Sequence, residues 1–510
     1  MTISPSNTPA LRPPGSAEPP LCATGVEGLD DILEGGLTPN RLYLVQGDPG
    51  VGKTTLALQF LMEGVKNGEK CLYITLSETK NELQTVARSH GWSLEGIDLF
   101  DLTAVADSMG GEEDNTFFHP SEVELNRTIQ ALLAEVERVN PSRVVFDSLS
   151  EMRLLAETSL RYRRQVLQFK QHFSGRNTTV LFLDDKTAER HDLQLESIAH
   201  GVIRLTRTLP DYGIARRQLE IQKIRGRKFR EGHHDFMLRT GGMVVFPRLV
   251  AAEHHSTYEM EAFPSGLPEL DALVGGGLDR GTSSMFMGAP GTGKSTLALH
   301  FAMAAARKGE KSLIFIFDET VRNFVTRTKK LGMDLEPHIE KGTIILRQID
   351  PAEISPGELA YQIARAVQRD DVRMVIIDSI NGYLNAMPAE RYLNLQLHEL
   401  LSFLNQQGVV TIMVLAQQGV VNTTTTVDLT YLADAVFLLQ YYEEHGRVKQ
   451  AMSVIKKRTG NHERTLREIW VGSRGIEVGP PLTHMQGVLT GVPQLLAHDS
   501  GKSTSARGKS

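Results

Sequence analysis

The sequence predicts an α/β protein of two tandem domains, each built around a mostly parallel central sheet. Three observations carry this prediction. The chain repeats itself at a long period, strands alternate with helices in both copies, and a glycine-rich phosphate-type loop recurs at the same place in each. Parallel strands need long crossovers, which helices supply, so β-α-β alternation marks this class. The chain has 510 residues. At roughly 100–200 residues per domain, that length suits two to four domains.

The repeat comes first because it sets the organisation. Thr24-Gly-Val-Glu-Gly-Leu-Asp-Asp-Ile-Leu-Glu-Gly-Gly-Leu37 recurs as Ser265-Gly-Leu-Pro-Glu-Leu-Asp-Ala-Leu-Val-Gly-Gly-Gly-Leu278. Gly25 maps to Gly266, Lys53 to Lys294 and Glu78 to Glu319, each at an offset of 241. Asp147 then matches Asp378 at an offset of 231, so the first copy holds about ten extra residues, which the polar stretch Asp107 to His119 accommodates. The expected layout is a Pro-rich tail over residues 1–20, a first domain over 21–247, a linker over 248–262, a second domain over 263–495 and a polar tail over 496–510.

Within each copy the elements follow one order. A Gly-rich turn leads to an apolar strand expected at residues 41–46 and 283–287. A phosphate-type loop and a helix follow, expected at residues 54–65 and 295–306. A second apolar strand is expected at residues 71–76 and 312–317, then a helix, then a strand ending in Asp147 or Asp378. The strand runs are continuously apolar, as a sheet covered on both faces requires.

Composition narrows the function classes. The apolar fraction of 41% and charged fraction of 23% are those of a globular protein. Net charge is −6, which argues against a nucleic-acid coat protein. The two cysteines, Cys22 and Cys71, supply no disulfide framework and suit a reducing cytoplasm. No run of 18 apolar residues and no basic-then-apolar leader appears, so neither membrane insertion nor secretion is expected. The adjacent pairs His233-His234 and His254-His255 lack acidic or thiol ligands at metal spacing.

Gly47-Asp-Pro-Gly-Val-Gly-Lys-Thr54 and Gly288-Ala-Pro-Gly-Thr-Gly-Lys-Ser295 both fit G-x4-G-K-[ST]. Glycines let successive N–H groups curl around phosphate, and the helix that follows presents its positive dipole end. Lys53 and Lys294 are placed to reach the β and γ phosphates, and Thr54 and Ser295 to offer a hydroxyl to Mg²⁺. Asp147 and Asp378 read as the carboxylates beside that metal, or as strand-end aspartates capping a turn. Glu78 and Glu319 follow the next strand and are candidates to orient or deprotonate an attacking oxygen, or are surface carboxylates. Ser77 and Asp318 precede them and differ between copies.

Together with Ser77-Glu78-Thr79, Ala87-Arg-Ser-His-Gly-Trp92, Lys223-Ile-Arg-Gly226 and Ala433-Asp-Ala-Val-Phe-Leu-Leu-Gln440, these features resemble the RecA-like ATPases and, within them, the KaiC family of clock ATPases and autokinases, over about residues 22–495. The resemblance implies two RecA-like P-loop domains and a homohexamer of two stacked rings with ATP at subunit boundaries. It implies ATP contacts from Gly50, Val51, Gly52, Lys53, Thr54, Thr55 and Ser89 in the first copy. In the second it implies Gly291, Thr292, Gly293, Lys294, Ser295 and Thr296. Lys223 and Arg225, with Lys456 and Arg458, match the family motif K-x-R that reaches a neighbour's nucleotide. The run Lys223 to Arg230 also reads as a solvated edge or a nucleic-acid patch.

The family's first copy is an ATPase using two adjacent glutamates, and here only Glu78 of that pair is present. Its second copy is the autokinase, whose base aligns with Asp318, beside Glu319. The family's Ser-Thr phosphoacceptor pair aligns with Thr430 and Tyr431, while Thr423–Thr426 reads as a polar loop. Expected partners are further copies of the chain, a KaiB-like protein, or a signalling kinase or response regulator. Only 17 residues (510 − 493) follow Pro493 of the Gly491–Pro493 segment, so KaiA-type regulation is not expected. Two other functions compete: a non-hydrolysing ATP-dependent scaffold, suggested by Ser77, and a RecA- or DnaB-like DNA motor, disfavoured by the acidic charge.

Overall fold

In the computed structural model, residues 20–102, 120–156, 158–185, 193–210, 213–385, 392–417, 429–489 and 494–495 are described. The expectations for Asp107–His119, Thr423–Thr426, Gly491–Pro493 and most of both tails fall outside them. The first of two units draws on Met1–Thr208 and Arg217–Pro247, the second on Leu209–Arg216 and Arg248–Ser510.

Nine strands form the first sheet: β1 (Leu42–Gly47), β2 (Cys71–Thr75), β3 (Ile97–Asp101), β4 (Arg143–Asp147), β5 (Thr179–Asp185), β6 (Gly201–Thr208), β7 (Arg216–Ile224), β8 (His233–Arg239) and β9 (Gly242–Phe246). Their order is β3-β2-β4-β5-β1-β6-β7-β8-β9. The run from β3 to β6 is parallel, and β7, β8 and β9 pair antiparallel. Every residue of β1, β2 and β4 is buried. Alternate residues of one strand feed opposite faces. Tyr43, Val45 and Tyr73 join one core cluster, while Leu42, Leu44, Leu72 and Ile74 join the other. The Lys53–Lys66 helix covers the first face through Leu56 and Phe60, and the Pro120–Val139 and Ser159–Phe173 helices cover the second. Truncating a buried ring such as Phe60 to Ala costs about 3–5 kcal/mol.

The second unit has a two-stranded ribbon, β10 (Ala262–Phe263) with β11 (Leu278–Asp279), and a second nine-stranded sheet. Its strands are β12 (Ser283–Gly288), β13 (Lys311–Ile316), β14 (Ile344–Gln348), β15 (Val372–Asp378), β16 (Val410–Ala416), β17 (Ala435–Glu444), β18 (Arg447–Lys457), β19 (Arg467–Gly472) and β20 (Gly475–Pro481). The order β14-β13-β15-β16-β12-β17-β18-β19-β20 repeats the first sheet strand for strand. Among the described residues, no helix is long and apolar enough to cross a membrane.

This topology decides where chemistry can occur. Chain leaving β1 crosses outward to β2, while β5 and β6 flank β1, so the strand order reverses beside β1. Ligands of open parallel sheets bind at the carboxyl ends of the strands at such a reversal. Helix starts differ slightly from expectation, at Lys53 and Lys294. Gly52 (φ +119°) and Gly293 (φ +97°) take the left-handed cap conformation, so helical geometry begins at the lysine itself.

Candidate functional site

In the first unit, β1 ends at Gly47 and the chain turns through Asp48–Gly52 into the Lys53–Lys66 helix. Gly50 sits at φ +73°, and a Cβ on Gly52 would press on Leu238 at 3.1 Å. Lys53 folds back over the loop. Its ammonium donates to Gly47 O at 2.9 Å and Asp48 O at 3.2 Å, and pairs with Asp185 Oδ1 at 2.6 Å. Asp147, at the end of β4, accepts from the Thr54 hydroxyl at 3.1 Å and from the Tyr73 phenol through the same Oδ2. Burial holds the Asp147 carboxyl above its ordinary range. Burial, with Asp147 alongside, pushes the Tyr73 phenol far up, so it stays a neutral donor.

Glu78 stands just past β2. Its N–H donates to Thr75 Oγ1 at 2.9 Å and its carbonyl accepts from that hydroxyl at 2.6 Å, which fixes the backbone. Its buried Oε2 has no hydrogen-bond partner among the described residues. Burial, then the charges of Asp147 and Glu82, raise its carboxyl. A carboxylate that is positioned, unpaired and raised in pKa suits a proton acceptor. Thr79 begins the next helix with a capping box closed by Glu82, so the turn carrying Glu78 is anchored on both sides.

The second unit repeats the plan with different neighbours. Lys294 donates to Gly288 O at 2.9 Å and Ala289 O at 2.8 Å and has no carboxylate partner among the described residues. Burial lowers its ammonium to about 8, against the pull of Asp378. Ser295 bonds Asp378, whose carboxyl burial lifts to about 6. Asp318 Oδ2 accepts from the Ser379 hydroxyl at 2.6 Å, so it stands beside the residue that follows Asp378. Glu319 pairs instead with Arg327 at 2.5 Å.

The remaining candidates lie elsewhere. Lys223 and Arg225 stand where β7 ends, at the amino end of β1: Tyr43 pairs with Gly201, and Arg225 N donates to His200 O. Lys223 bonds Glu196 O, and Arg225 bonds Ser197 O at 2.6 Å. In the second unit, Lys456 lies opposite Val436 and donates to Thr430 O at 2.9 Å and Ala433 O at 2.7 Å. Arg458 donates to Tyr431 O at 2.9 Å and Asp434 Oδ1 at 3.3 Å. Thr430 is partly buried and Tyr431 is 55% exposed. At about 3.3 Å per strand residue, the length of β1 or β12 places this end about 20 Å from the phosphate loop of the same unit. The Ser89 hydroxyl turns back to Val86 O at 2.7 Å.

A family model described as the KaiC ATPase matches residues 22–250 and 263–483. The chain belongs to the KaiC ATPase family. Among its relatives is a circadian clock oscillator protein KaiC of Thermostichus vulcanus, 26% identical over 511 residues, covering 98% of this chain and 96% of that one. The protein of that name from Parathermosynechococcus lividus is 25% identical over 496 residues, 93% of this chain and 88% of that one. A circadian clock protein KaiC3 of Synechocystis is 24% identical over 481 residues, 93% and 94% of the two chains.

The two KaiC-type units are not chemically equal, and the register shows how. Gly47 pairs with Asp185 in the first, whereas Gly288 pairs with Ala416 in the second, so among the described residues Lys53 is ion-paired with a carboxylate and Lys294 is not. Thr75 pairs with Asp147 and Ile316 with Asp378, which sets Tyr73 against Ile314; among the described residues Asp147 has a phenol donor and Asp378 has none. Asp185 and Tyr73 escaped the sequence reading because neither belongs to a motif. Aligning the copies strand by strand would have exposed both. Val51, Thr55, Thr292 and Thr296 are buried, as are Lys53 and Lys294.

Proposed function

We propose that this KaiC-family chain binds Mg-ATP in both units, hydrolyses it in the first, and in the second autophosphorylates between copies, on Thr430 or Tyr431, within a double-ring homohexamer. The observation that carries the reading is the separation of parts. The phosphate loop, Asp147 and Glu78 gather at one end of the first sheet, as do the second loop, Asp378 and Asp318 in the second. The K-x-R cations and the candidate acceptors lie at the opposite ends. A nucleotide in one copy therefore receives these cations and hydroxyls from another copy, which couples turnover to assembly.

Thr54 with Asp147, and Ser295 with Asp378, are hard oxygen donors that fit Mg²⁺. When bound, Mg²⁺ supplies charge neutralisation to the phosphate oxygens. Lys53 and Lys294 hold the phosphates. Glu78 orients or deprotonates the attacking water in the first site. In the second, Asp318 accepts the acceptor's hydroxyl proton, while Arg327 occupies Glu319. The clock role named for the relatives carries over as a signalling or timekeeping role in the cytoplasm, with a KaiB-like protein or a kinase or response regulator as reader. Ser77, a hydroxyl where the family has a second glutamate, favours one competing reading, an ATP-gated scaffold.

Incubation with Mg-ATP followed by phosphosite mapping and native mass on one sample tests the whole. Phosphate on Thr430 or Tyr431 in a hexamer is expected. Unmodified residues remove the autokinase, and a monomeric mass in saturating ATP removes the ring.

A further inference from the structure

Two arginines beside the first phosphate loop have no role in the mechanism above. Arg207 on β6 is exposed, and its Nη1 lies 4.0 Å from where a Cβ on Gly50 would stand. Arg217, on the neighbouring strand β7, is partly buried, and its buried Nε has no hydrogen-bond partner. Burial and then the charge of Arg207 pull the Arg217 guanidinium below its ordinary value, so the two cations feel one another. Among the described residues neither guanidinium has an ion pair, although carboxylates elsewhere in the unit, such as Asp184 and Glu69, are matched with arginines.

The second unit treats the same positions differently. Gly47 pairs with Leu205 and Gly288 with Leu439, so Arg207 corresponds to Tyr441. Arg217 stands eight residues before Arg225, as Gln450 stands eight before Arg458. Tyr441 and Gln450 face each other across β17 and β18. Tyr441 OH donates to Pro290 O at 3.2 Å and Gln450 Nε2 to Gly291 O at 3.1 Å. There the lip of the loop is closed by neutral groups bonded to its backbone. In the first unit the same lip is flanked by two cations that have no ion pair among the described residues.

We propose that Arg207 and Arg217 form an anion clamp, supplied by the chain that owns the loop, which reads the terminal phosphate of a nucleoside triphosphate in the first site. The inference rests on the reading of that loop as a nucleotide site and adds the residues that tell triphosphate from diphosphate. Two guanidinium groups repel until an anion with several acceptor oxygens lies between them, and planar forks suit phosphate. The loop backbone and Lys53 cradle the β and γ phosphates, so cations at the outer lip gain most from the last one. A diphosphate ends short of them.

The test uses full-length protein carrying Lys294→Ala, which confines nucleotide to the first site, and measures fluorescent ATP and ADP analogues by titration. Arg207→Tyr with Arg217→Gln installs the pair that the second sheet already accommodates, and Arg207→Ala alters an exposed residue only. Both variants are expected to lose about 10-fold or more in ATP affinity and less than about 3-fold in ADP affinity, and Arg207→Lys to keep most of the preference. Equal losses for both nucleotides, or none, overturn the clamp. If the Lys294→Ala parent itself binds neither nucleotide, the nucleotide reading of the first loop falls, and the clamp with it.

Discussion

Replacing Asp378 by asparagine should stabilise the second unit while disabling its site. The carboxyl titrates at about 6 rather than 3.8, and burial is the largest cause. The folded form therefore holds its proton more tightly than the unfolded chain does. This group's contribution to stability is fullest below pH 4 and is lost as pH rises from about 4 to 6. By pH 7 the buried charge costs about 3 kcal/mol at most, since each pH unit is worth about 1.4 kcal/mol and the residue keeps some solvent contact. Asparagine preserves the shape and an acceptor for Ser295 but carries no charge. Urea unfolding without nucleotide or Mg²⁺ measures the gain. Trp92 and Trp470 are the two tryptophans, one in each unit, so a Trp92→Phe background leaves Trp470 to report the second. The variant should exceed the parent by up to about 3 kcal/mol at pH 7, with the gap closing toward pH 4. No gain at pH 7, or the same gain at both pH values, refutes the reasoning. Excess Mg-ATP should then stabilise the parent and not the variant, as the proposed role of Asp378 beside the metal requires.

Three further outcomes are expected. With the first loop disabled by Lys53→Ala, ATP affinity should fall by about tenfold between pH 7.5 and 9, because the Lys294 ammonium is lost above about 8; Lys294→Arg should flatten that profile in equilibrium titrations. Asp185→Ala frees Lys53 from a partly exposed ion pair worth about 1 kcal/mol, so ATP should bind the first site about fivefold tighter with Lys294→Ala in place; a weaker affinity would make Asp185 a metal-side ligand instead. Glu78→Gln should cut phosphate release by about 10²–10⁴-fold with little change in ATP affinity, and unchanged turnover would remove Glu78 from the chemistry.

Much of the molecule follows from local sequence. A strand covered on both faces must be apolar at consecutive positions, so Leu42–Gly47 and Arg143–Asp147 are readable as buried parallel strands before any packing is known. The phosphate loops are readable because their function lies in backbone curvature over eight neighbouring residues, and glycine spacing encodes that curvature directly. The repeat shows that there are two such sites. The family's K-x-R motif and acceptor positions are visible as residue types, though not as places.

What the sequence leaves open is non-local. Asp185 meets Lys53 across 132 residues because β5 pairs with β1 in a register set by packing on both sheet faces. Arg207 and Arg217 meet only because β6 and β7 are neighbours. Strand order also sends the K-x-R cations and the candidate acceptors to the end of the sheet away from their own loop. The sequence by itself determined two phosphate-binding units and their chemical parts. Tertiary structure decided which charges face which loop, because strand register, and not spacing along the chain, brings side chains of distant strands within reach.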